Sequence, residues 1–223
     1  MATVLSWSGG KDAAFALWVL RRAGDDPVEL LTTLGVNDRS SMHGVHRDLY
    51  AAQAAALGVP IRFVDLPEAP SNDEYEERMA AVVADYEARG VDRLAFADIF
   101  LDDVRAYREE RLADADVDAA FPLWGRDTAE QARAFLDAGF RATVVAVDGA
   151  ALDPSFAGRA FDTEFLAALP DDVDPCGEHG AFHTFVHDGP VFEEPVPVTT
   201  GDVVAREMGD GVFHYCDLRR AQD

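Results

Sequence analysis

The chain has 223 residues, and its hydrophobic content of 48% with 10% aromatic residues indicates a globular protein with a real core and excludes a disordered chain. Its 42 acidic and 19 basic residues leave a formal net charge of −23, which argues against general binding to a nucleic-acid backbone. The sequence shows no basic leader and no apolar run near the ~18–20 residues of a membrane span, and it has only two cysteines. It therefore favours a cytoplasmic protein without a disulfide framework.

The acidic excess predicts a solvated surface of the halophilic kind, on which like charges repel one another at low ionic strength. Molar salt shortens the screening length to ~3 Å and weakens this repulsion. We therefore expect the melting temperature to rise from low salt to molar KCl. Thermal unfolding followed by circular dichroism checks this, and a melting temperature that stays constant over the range would contradict it.

Strands and helices alternate along the first part of the chain. The predicted strands cover residues 3–7, 30–36, 61–64, 93–97 and 119–123, and the predicted helices cover 13–22, 46–57, 71–89 and 102–113. The segment from Ser71 to Glu74 has the spacing of a capping box. Near-continuous apolar strands between helices indicate an α/β fold with a doubly wound, parallel, five-stranded sheet covered on both faces.

The second part of the chain has a different character. It predicts one helix over 128–137, strands over 143–147, 182–186, 191–192, 196–199 and 212–215, and a loop over 171–180 that is rich in Asp, Pro and Gly. These patterns predict a smaller C-terminal α+β domain over 125–223, packed closely against an N-terminal domain over 1–124.

The turn after the first strand contains the single lysine of the chain, Lys11, while the other eighteen basic residues are arginines. Lysine supplies a compact point charge, whereas arginine supplies a planar fork. The glycine pair of Ser8-Gly9-Gly10-Lys11-Asp12, placed between a strand and a helix, is suited to bind a phosphate. The alternative is an ordinary strand-to-helix turn, in which Asp12 is only the N-cap of the helix or a residue of its first turn.

Ser6-Trp7-Ser8-Gly9-Gly10-Lys11-Asp12 resembles the PP-loop of the N-type ATP pyrophosphatases in the adenine nucleotide alpha hydrolase superfamily, usually written SGGKDS. The resemblance implies a HUP-like fold with ATP across the C-terminal ends of the strands. The implied nucleotide-binding residues are Ser6, Ser8, Gly9, Gly10, Lys11, Asp12, Val36 and His43, with Asp12 as a ligand of Mg²⁺. The usual serine after the aspartate is Ala13 here. His43 lies either near the phosphates or in a surface loop.

Four further stretches resemble the diphthine–ammonia ligase-like family of that superfamily. They are Met42-His43-Gly44-Val45, Ala97-Asp98-Ile99-Phe100 with Tyr107-Arg108, Phe121-Pro122-Leu123-Trp124, and a block from Cys176 to Phe185, here called the CGE block, which is similar to CGE-x-GE-[FY]-HT. Two positions depart from the pattern, because Ala97 stands for a glycine and Ala181 for the second glutamate.

This resemblance implies an ATP-dependent ligase that adenylates a carboxylate, releases pyrophosphate and forms an amide with ammonia, as in the last step of diphthamide formation on elongation factor 2. It implies ATP and Mg²⁺ as cofactors, and it leaves open a homodimer and another carboxylate substrate. The acidic charge and the lack of a long apolar run argue separately against a nucleic-acid or membrane partner. The implied catalytic residues are Lys11, Asp98, Glu178 and His183, with His183 as a proton carrier near neutral pH. The implied substrate-binding residues are Tyr107, Arg108, Trp124, Cys176, Gly177 and Thr184.

Three alternatives remain from the residues themselves. Cys176, His179 and His183 have a spacing that a zinc ion would accept. Cys176 could instead act as a nucleophile, as in sulfur-transferring relatives that modify tRNA. Ala13 and Ala181 are also compatible with a protein that binds an adenine nucleotide as a sensor, without turnover.

Overall fold

The computed structural model describes residues 1–68, 70–209 and 211–221. Its first sheet has five parallel strands in the order β3-β2-β1-β4-β5. The strands are β1 (Thr3–Ser6), β2 (Glu29–Leu34), β3 (Ile61–Asp65), β4 (Arg93–Ala95) and β5 (Asp118–Ala120). The predicted doubly wound sheet is therefore confirmed. Its strand order reverses between β1 and β4, which is where ligands bind in open α/β sheets.

Helices cover both faces of this sheet because consecutive strand residues point to opposite sides. The helices are α1 (Lys11–Arg22), α2 (Arg47–Leu57), α3 (Asn72–Ala88) and α4 (Asp102–Leu112). Leu5 belongs to a core cluster with α1 and α2, whereas Val4 belongs to a separate cluster with α3 and the end of α4. The predicted capping box is present, since Ser71 and Glu74 each accept the other's backbone N–H through a side chain.

The C-terminal part is built on a four-stranded antiparallel sheet in the order β7-β6-β9-β8. Its elements are α5 (Thr128–Asp137), β6 (Arg141–Asp148), α6 (Thr163–Ala168), β7 (Phe182–Asp188), β8 (Val198–Met208) and β9 (Gly211–Arg220). This confirms the smaller α+β part of the predicted fold. None of the helices within the described ranges has the length and hydropathy of a membrane span.

Several predicted strand boundaries were wrong. Residues 191–192 form no strand, because the N–H of Phe192 closes a turn onto the carbonyl of Gly189. β2 ends at Leu34, and Val36 begins a short 3-10 turn. β5 ends at Ala120, before a turn that leads to Trp124. β8 extends to Met208, far beyond the predicted end at residue 199. Its residues are mostly exposed and show little hydrophobic pattern, and pairing with β9 holds them in a strand.

The two parts share one hydrophobic core. Trp7 and Phe15 from the first part lie in the same buried cluster as Phe135 and Phe185 from the second. Hydrogen bonds also join them, since the N–H of Val186 on β7 donates to the carbonyl of Gly9 at 2.9 Å. β7 therefore lies directly against the loop that follows β1. The domain boundary near residue 124 stays a prediction.

Candidate active site

The loop between β1 and α1 is shaped by a glycine in a left-handed conformation. Gly9 has φ of 72°, and a Cβ atom there would lie 2.7 Å from Cε1 of Tyr50 and 2.8 Å from Oε1 of Gln53. Both neighbours come from α2 and support the loop from below, because Tyr50 donates to the Ser8 carbonyl and Gln53 to the Gly9 carbonyl. The sequence alone gave no indication of these two supporting residues.

Replacing Gly9 by alanine is expected to lower the melting temperature by several degrees and to weaken nucleotide binding. The left-handed conformation costs about 1–2 kcal/mol for a residue with a Cβ, and the contact with Tyr50 adds to this cost. Gly24→Ala is the matched control, because Gly24 has φ of 80° with no atom within 4 Å of the added Cβ. Equal losses of stability in the two variants, measured by thermal unfolding, would show that the loop tolerates the side chain.

Open backbone N–H groups surround the start of α1. Gly10 is the N-cap and provides no side-chain cap, and Asp12 lies in the first turn of the helix, one of the two positions predicted for it. The N–H of Lys11 donates to Oγ1 of Thr184 at 3.0 Å, and the N–H of Gly10 to Oγ of Ser8 at 3.3 Å. The N–H groups of Asp12 and Ala13 have no acceptor within the described ranges. Together with the helix dipole, such groups attract an anion.

Lys11 is a buried ammonium with only 4% of its surface exposed. Its Nζ atom donates to Oδ2 of Asp12 at 2.6 Å and to the carbonyl oxygen of Cys176. Burial lowers the pKa of Lys11, but the charge and hydrogen bond of Asp12, together with Cys176 and Glu178, more than reverse this effect, so the net pKa shift is upward. Lys11 therefore keeps its positive charge inside the protein.

Glu178 provides the second titratable group of the site. Its half-buried position raises its pKa to about 7, and the negative charges of Asp12, Asp174 and Asp98 add to this, against the opposing effect of Lys11. The turn that carries it is held by Asp174, whose Oδ1 atom accepts the N–H groups of Cys176 at 2.8 Å and of Glu178 at 3.2 Å. Asp174 was missed by sequence reasoning, although an aspartate two residues before the CGE block is suited to accept such backbone bonds.

Two histidines form one wall of the site. The rings of His43 and His183 lie 4.6 Å apart, so His43 belongs to the site and not to a remote surface loop. Burial and the charge of Lys11 lower the pKa of His183 to about 4, and burial lowers that of His43 well below its ordinary value. His183 is therefore neutral near pH 7, and its role as a proton carrier stays a prediction. Its buried Nε2 atom has no hydrogen-bond partner within the described part of the chain.

Asp98 and Arg108 form a bidentate ion pair at the end of β4. The two guanidinium nitrogens lie 2.6 and 3.2 Å from the carboxylate oxygens of Asp98. The guanidinium also stacks over the ring of Phe96 at 4.3 Å. Both oxygens of Asp98 therefore accept hydrogen bonds from the same guanidinium at this edge of the site.

One cleft of about 450 Å³ contains most of the predicted site residues. Its lining includes Ser6, Ser8, Gly10, Lys11, Asp12, His43, Asp98, Arg108, Cys176, Gly177, Glu178, His183 and Thr184. Gly9 lies beneath the loop against α2. The cleft is the meeting point of β1, β4 and the CGE block.

Besides Gly9, three predicted residues lie outside this cleft. Val36 is 49% exposed and borders a shallow depression with Arg206. Tyr107 is also exposed and lines a neighbouring cleft between α3 and α4, which shares Arg108 with the first. Trp124 stacks on the guanidinium of Arg105 at 4.7 Å. Their predicted contacts with nucleotide or substrate remain predictions.

Two alternative chemistries at Cys176 find no support in the geometry. The Sγ atom of Cys176 lies 3.2 Å from the Thr128 carbonyl, while the ring of His179 packs against Phe100, so the two side chains do not converge on a zinc ion. The described residues contain no group of three or more His, Cys, Asp and Glu side chains placed to hold a metal. Burial raises the pKa of Cys176 to about 12, so it is a protonated thiol and a poor nucleophile at neutral pH.

A parallel sheet in this strand order, with a glycine-lysine loop after β1 at the point where the order reverses, defines a nucleotide-binding α/β protein of the PP-loop class. Comparison with known families agrees with this. The model of the diphthamide synthase N-terminal domain matches residues 1–114, and that of the diphthamide synthase C-terminal domain matches residues 127–223. The chain therefore belongs to the diphthamide synthase family. A search of the curated proteins gave no match.

Proposed function

We propose that this protein is an ATP-dependent amide ligase that acts in diphthamide biosynthesis. In the first half-reaction an oxygen of the acceptor carboxylate attacks the α-phosphorus of ATP and pyrophosphate leaves. In the second, ammonia attacks the activated carbonyl, AMP leaves and one proton is released. The family membership supports the pathway, and diphthine on elongation factor 2 is the acceptor that we propose.

The residues at the start of α1 fit the phosphate end of this reaction. The ammonium of Lys11 and the open N–H groups of Asp12 and Ala13 would stabilise the charge that develops on the departing pyrophosphate. Mg²⁺ is usually bound by one or two carboxylates together with phosphate and water oxygens. Asp12 fits that role because its side chain is 25% exposed at the cleft and sits beside the loop. The ion would neutralise phosphate charge.

Glu178 fits the ammonia end. Ammonium must lose a proton before it can attack a carbonyl, and an effective base has a pKa near the operating pH. The carboxyl of Glu178 has a pKa of about 7 and lines the cleft. We assign to Glu178 the proton transfer that the sequence had suggested for His183. The neutral His43 and His183 would then serve as hydrogen-bonding walls of a site that excludes water.

The observation that carries the proposal is the direct link between the two ends. Nζ of Lys11 donates to the carbonyl oxygen of Cys176, which lies two residues before Glu178 in the chain. A group held at the phosphate loop is thus close to the base. One cleft can therefore hold the adenylated carboxylate and the incoming ammonia together, which is the arrangement that a two-step ligase needs.

The test uses purified protein with ATP, Mg²⁺, ammonium and elongation factor 2 that carries diphthine, which has not yet been amidated. We expect AMP, pyrophosphate and the amide product in equal amounts, with the amide measured by mass spectrometry. Deletion of the gene in its host should leave elongation factor 2 with diphthine in place of diphthamide. Full diphthamide in the deletion strain would contradict the proposed acceptor.

A second candidate is a protein that binds adenine nucleotide without turnover or acts on another carboxylate. Ala13 and Ala181 favour it, because they remove a hydroxyl and a carboxylate that relatives carry at these positions. ATP binding measured by calorimetry, with no pyrophosphate released on any carboxylate tested, would support the sensor. Pyrophosphate release with a different acceptor would support the other substrate.

A further inference from the structure

Gln131 carries a buried side-chain amide, and packing alone does not explain its position. It lies on α5 in the C-terminal part, and only 2% of its surface is exposed. Its Nε2 atom lies 3.1 Å from Oδ1 of Asp12 and 3.9 Å from Sγ of Cys176, whereas its Oε1 atom has no partner within the described ranges. Because burying an amide with an unpaired atom costs free energy, a compensating contact is expected.

The compensating contact is the one with Asp12. The Oδ2 atom of this carboxylate is bound by Nζ of Lys11, and its Oδ1 atom by Nε2 of Gln131. The two donors differ in what else they can do. Lys11 has a flexible stem and contacts a second acceptor, the Cys176 carbonyl, whereas the amide of Gln131 is fixed by burial. In a complex in which Lys11 contacts phosphate instead of Asp12, Gln131 would be the donor that still orients the carboxylate.

We propose that Gln131 is a positioning residue that orients Asp12 toward the metal ion of the Mg²⁺–ATP complex. This inference rests on the proposed function, in which Asp12 contacts Mg²⁺. It means that the C-terminal part of the chain completes the nucleotide site. It does so through Gln131, which is 119 residues from Asp12 in sequence and which the motif of the loop does not reveal.

The first test replaces Gln131 by leucine, which has similar volume and no donor. Dissociation constants for ATP are measured by calorimetry with Mg²⁺ and with EDTA. We expect the constant with Mg²⁺ to rise about tenfold, as for the loss of one hydrogen bond to a charged group, and the constant with EDTA to change less than about twofold. The melting temperature should stay close to that of the wild type, because the donor and the unpaired Oε1 atom are removed together.

Gln53→Leu is the matched control. Gln53 is also fully buried, but its amide donates to the carbonyls of Gly9 and Val186 and holds the backbone of the loop. Its loss should lower the melting temperature and weaken ATP binding with and without Mg²⁺ alike. If Gln131→Leu shows this same unselective pattern, Gln131 is a structural residue and the inference is wrong.

A double-mutant cycle with Asp12→Ala separates the inference from the proposal on which it rests. If Gln131 acts through Asp12, Gln131→Leu should have no further effect on Mg²⁺-dependent binding once Asp12 is removed. Additive losses would overturn the inference. If Asp12→Ala leaves the Mg²⁺ dependence unchanged, the proposed metal role of Asp12 fails instead. If Asp12→Ala weakens only the Mg²⁺-dependent binding of ATP and Gln131→Leu does not, the inference about Gln131 is wrong, whereas the metal role of Asp12 stands.

Discussion

Replacement of Lys11 by methionine is expected to lower pyrophosphate release from ATP by about three orders of magnitude, the effect of losing a preorganised charge at a developing anion. Methionine keeps most of the length of the stem and suits a site where only 4% of the surface of the residue is exposed. The variant retains the open N–H groups of α1 but lacks the ammonium that the carboxylate of Asp12 helps to keep charged. Pyrophosphate release in the complete assay checks the rate, and calorimetry checks ATP affinity separately.

Arg22→Met is the matched control for this experiment. It also removes one positive charge from α1, but at the exposed C-terminal end, where the guanidinium stacks over Trp18. We expect its turnover to stay within about twofold of the wild type because exposed charges have small effects. If Lys11→Met retained both turnover and ATP affinity, the loop would not be the phosphate site. If Lys11→Met lost ATP affinity and the wild type itself released no pyrophosphate, the result would favour the sensor.

Replacement of Glu178 by glutamine is expected to remove the ammonia-dependent step while leaving adenylation largely intact. In the wild type the carboxyl is protonated below its pKa of about 7 and ionised above it, so the ammonia-dependent rate should rise with pH through this value. The glutamine variant should lack this inflection and be slower by a factor of about 10² or more at pH 8, the contribution of a positioned general base. Rates are compared at equal concentrations of free ammonia.

Stability and partial reactions distinguish a lost base from a damaged fold. Since the folded state raises the pKa of Glu178 from its ordinary 4.5 to about 7, this carboxyl favours folding at low pH, and that contribution is lost as pH rises through 7. The glutamine variant should therefore be at least as stable as the wild type at pH 8. ATP–pyrophosphate exchange should persist. Glu164→Gln, on the exposed side of α6, should behave as the wild type does. An unchanged pH profile in Glu178→Gln would contradict the assignment.

Much of the fold followed from local sequence patterns. The strands of the parallel sheet are short apolar runs, and the helices between them begin and end at polar and glycine residues, which are local signals. The capping box at Ser71 was confirmed because it depends on residues only three apart. β8 was mostly missed because its residues are exposed and gain strand structure from pairing with β9.

The chain by itself determined the phosphate-type loop with its single lysine, the α/β class and the block that carries Glu178, since each depends on neighbouring residues. Only the tertiary structure decided that Lys11 contacts the Cys176 carbonyl, that Gln131 holds Asp12 and that Glu178, not His183, titrates near pH 7. The physical reason is that a pKa and a buried hydrogen bond depend on desolvation and on partners more than 100 residues away, and no local pattern encodes either.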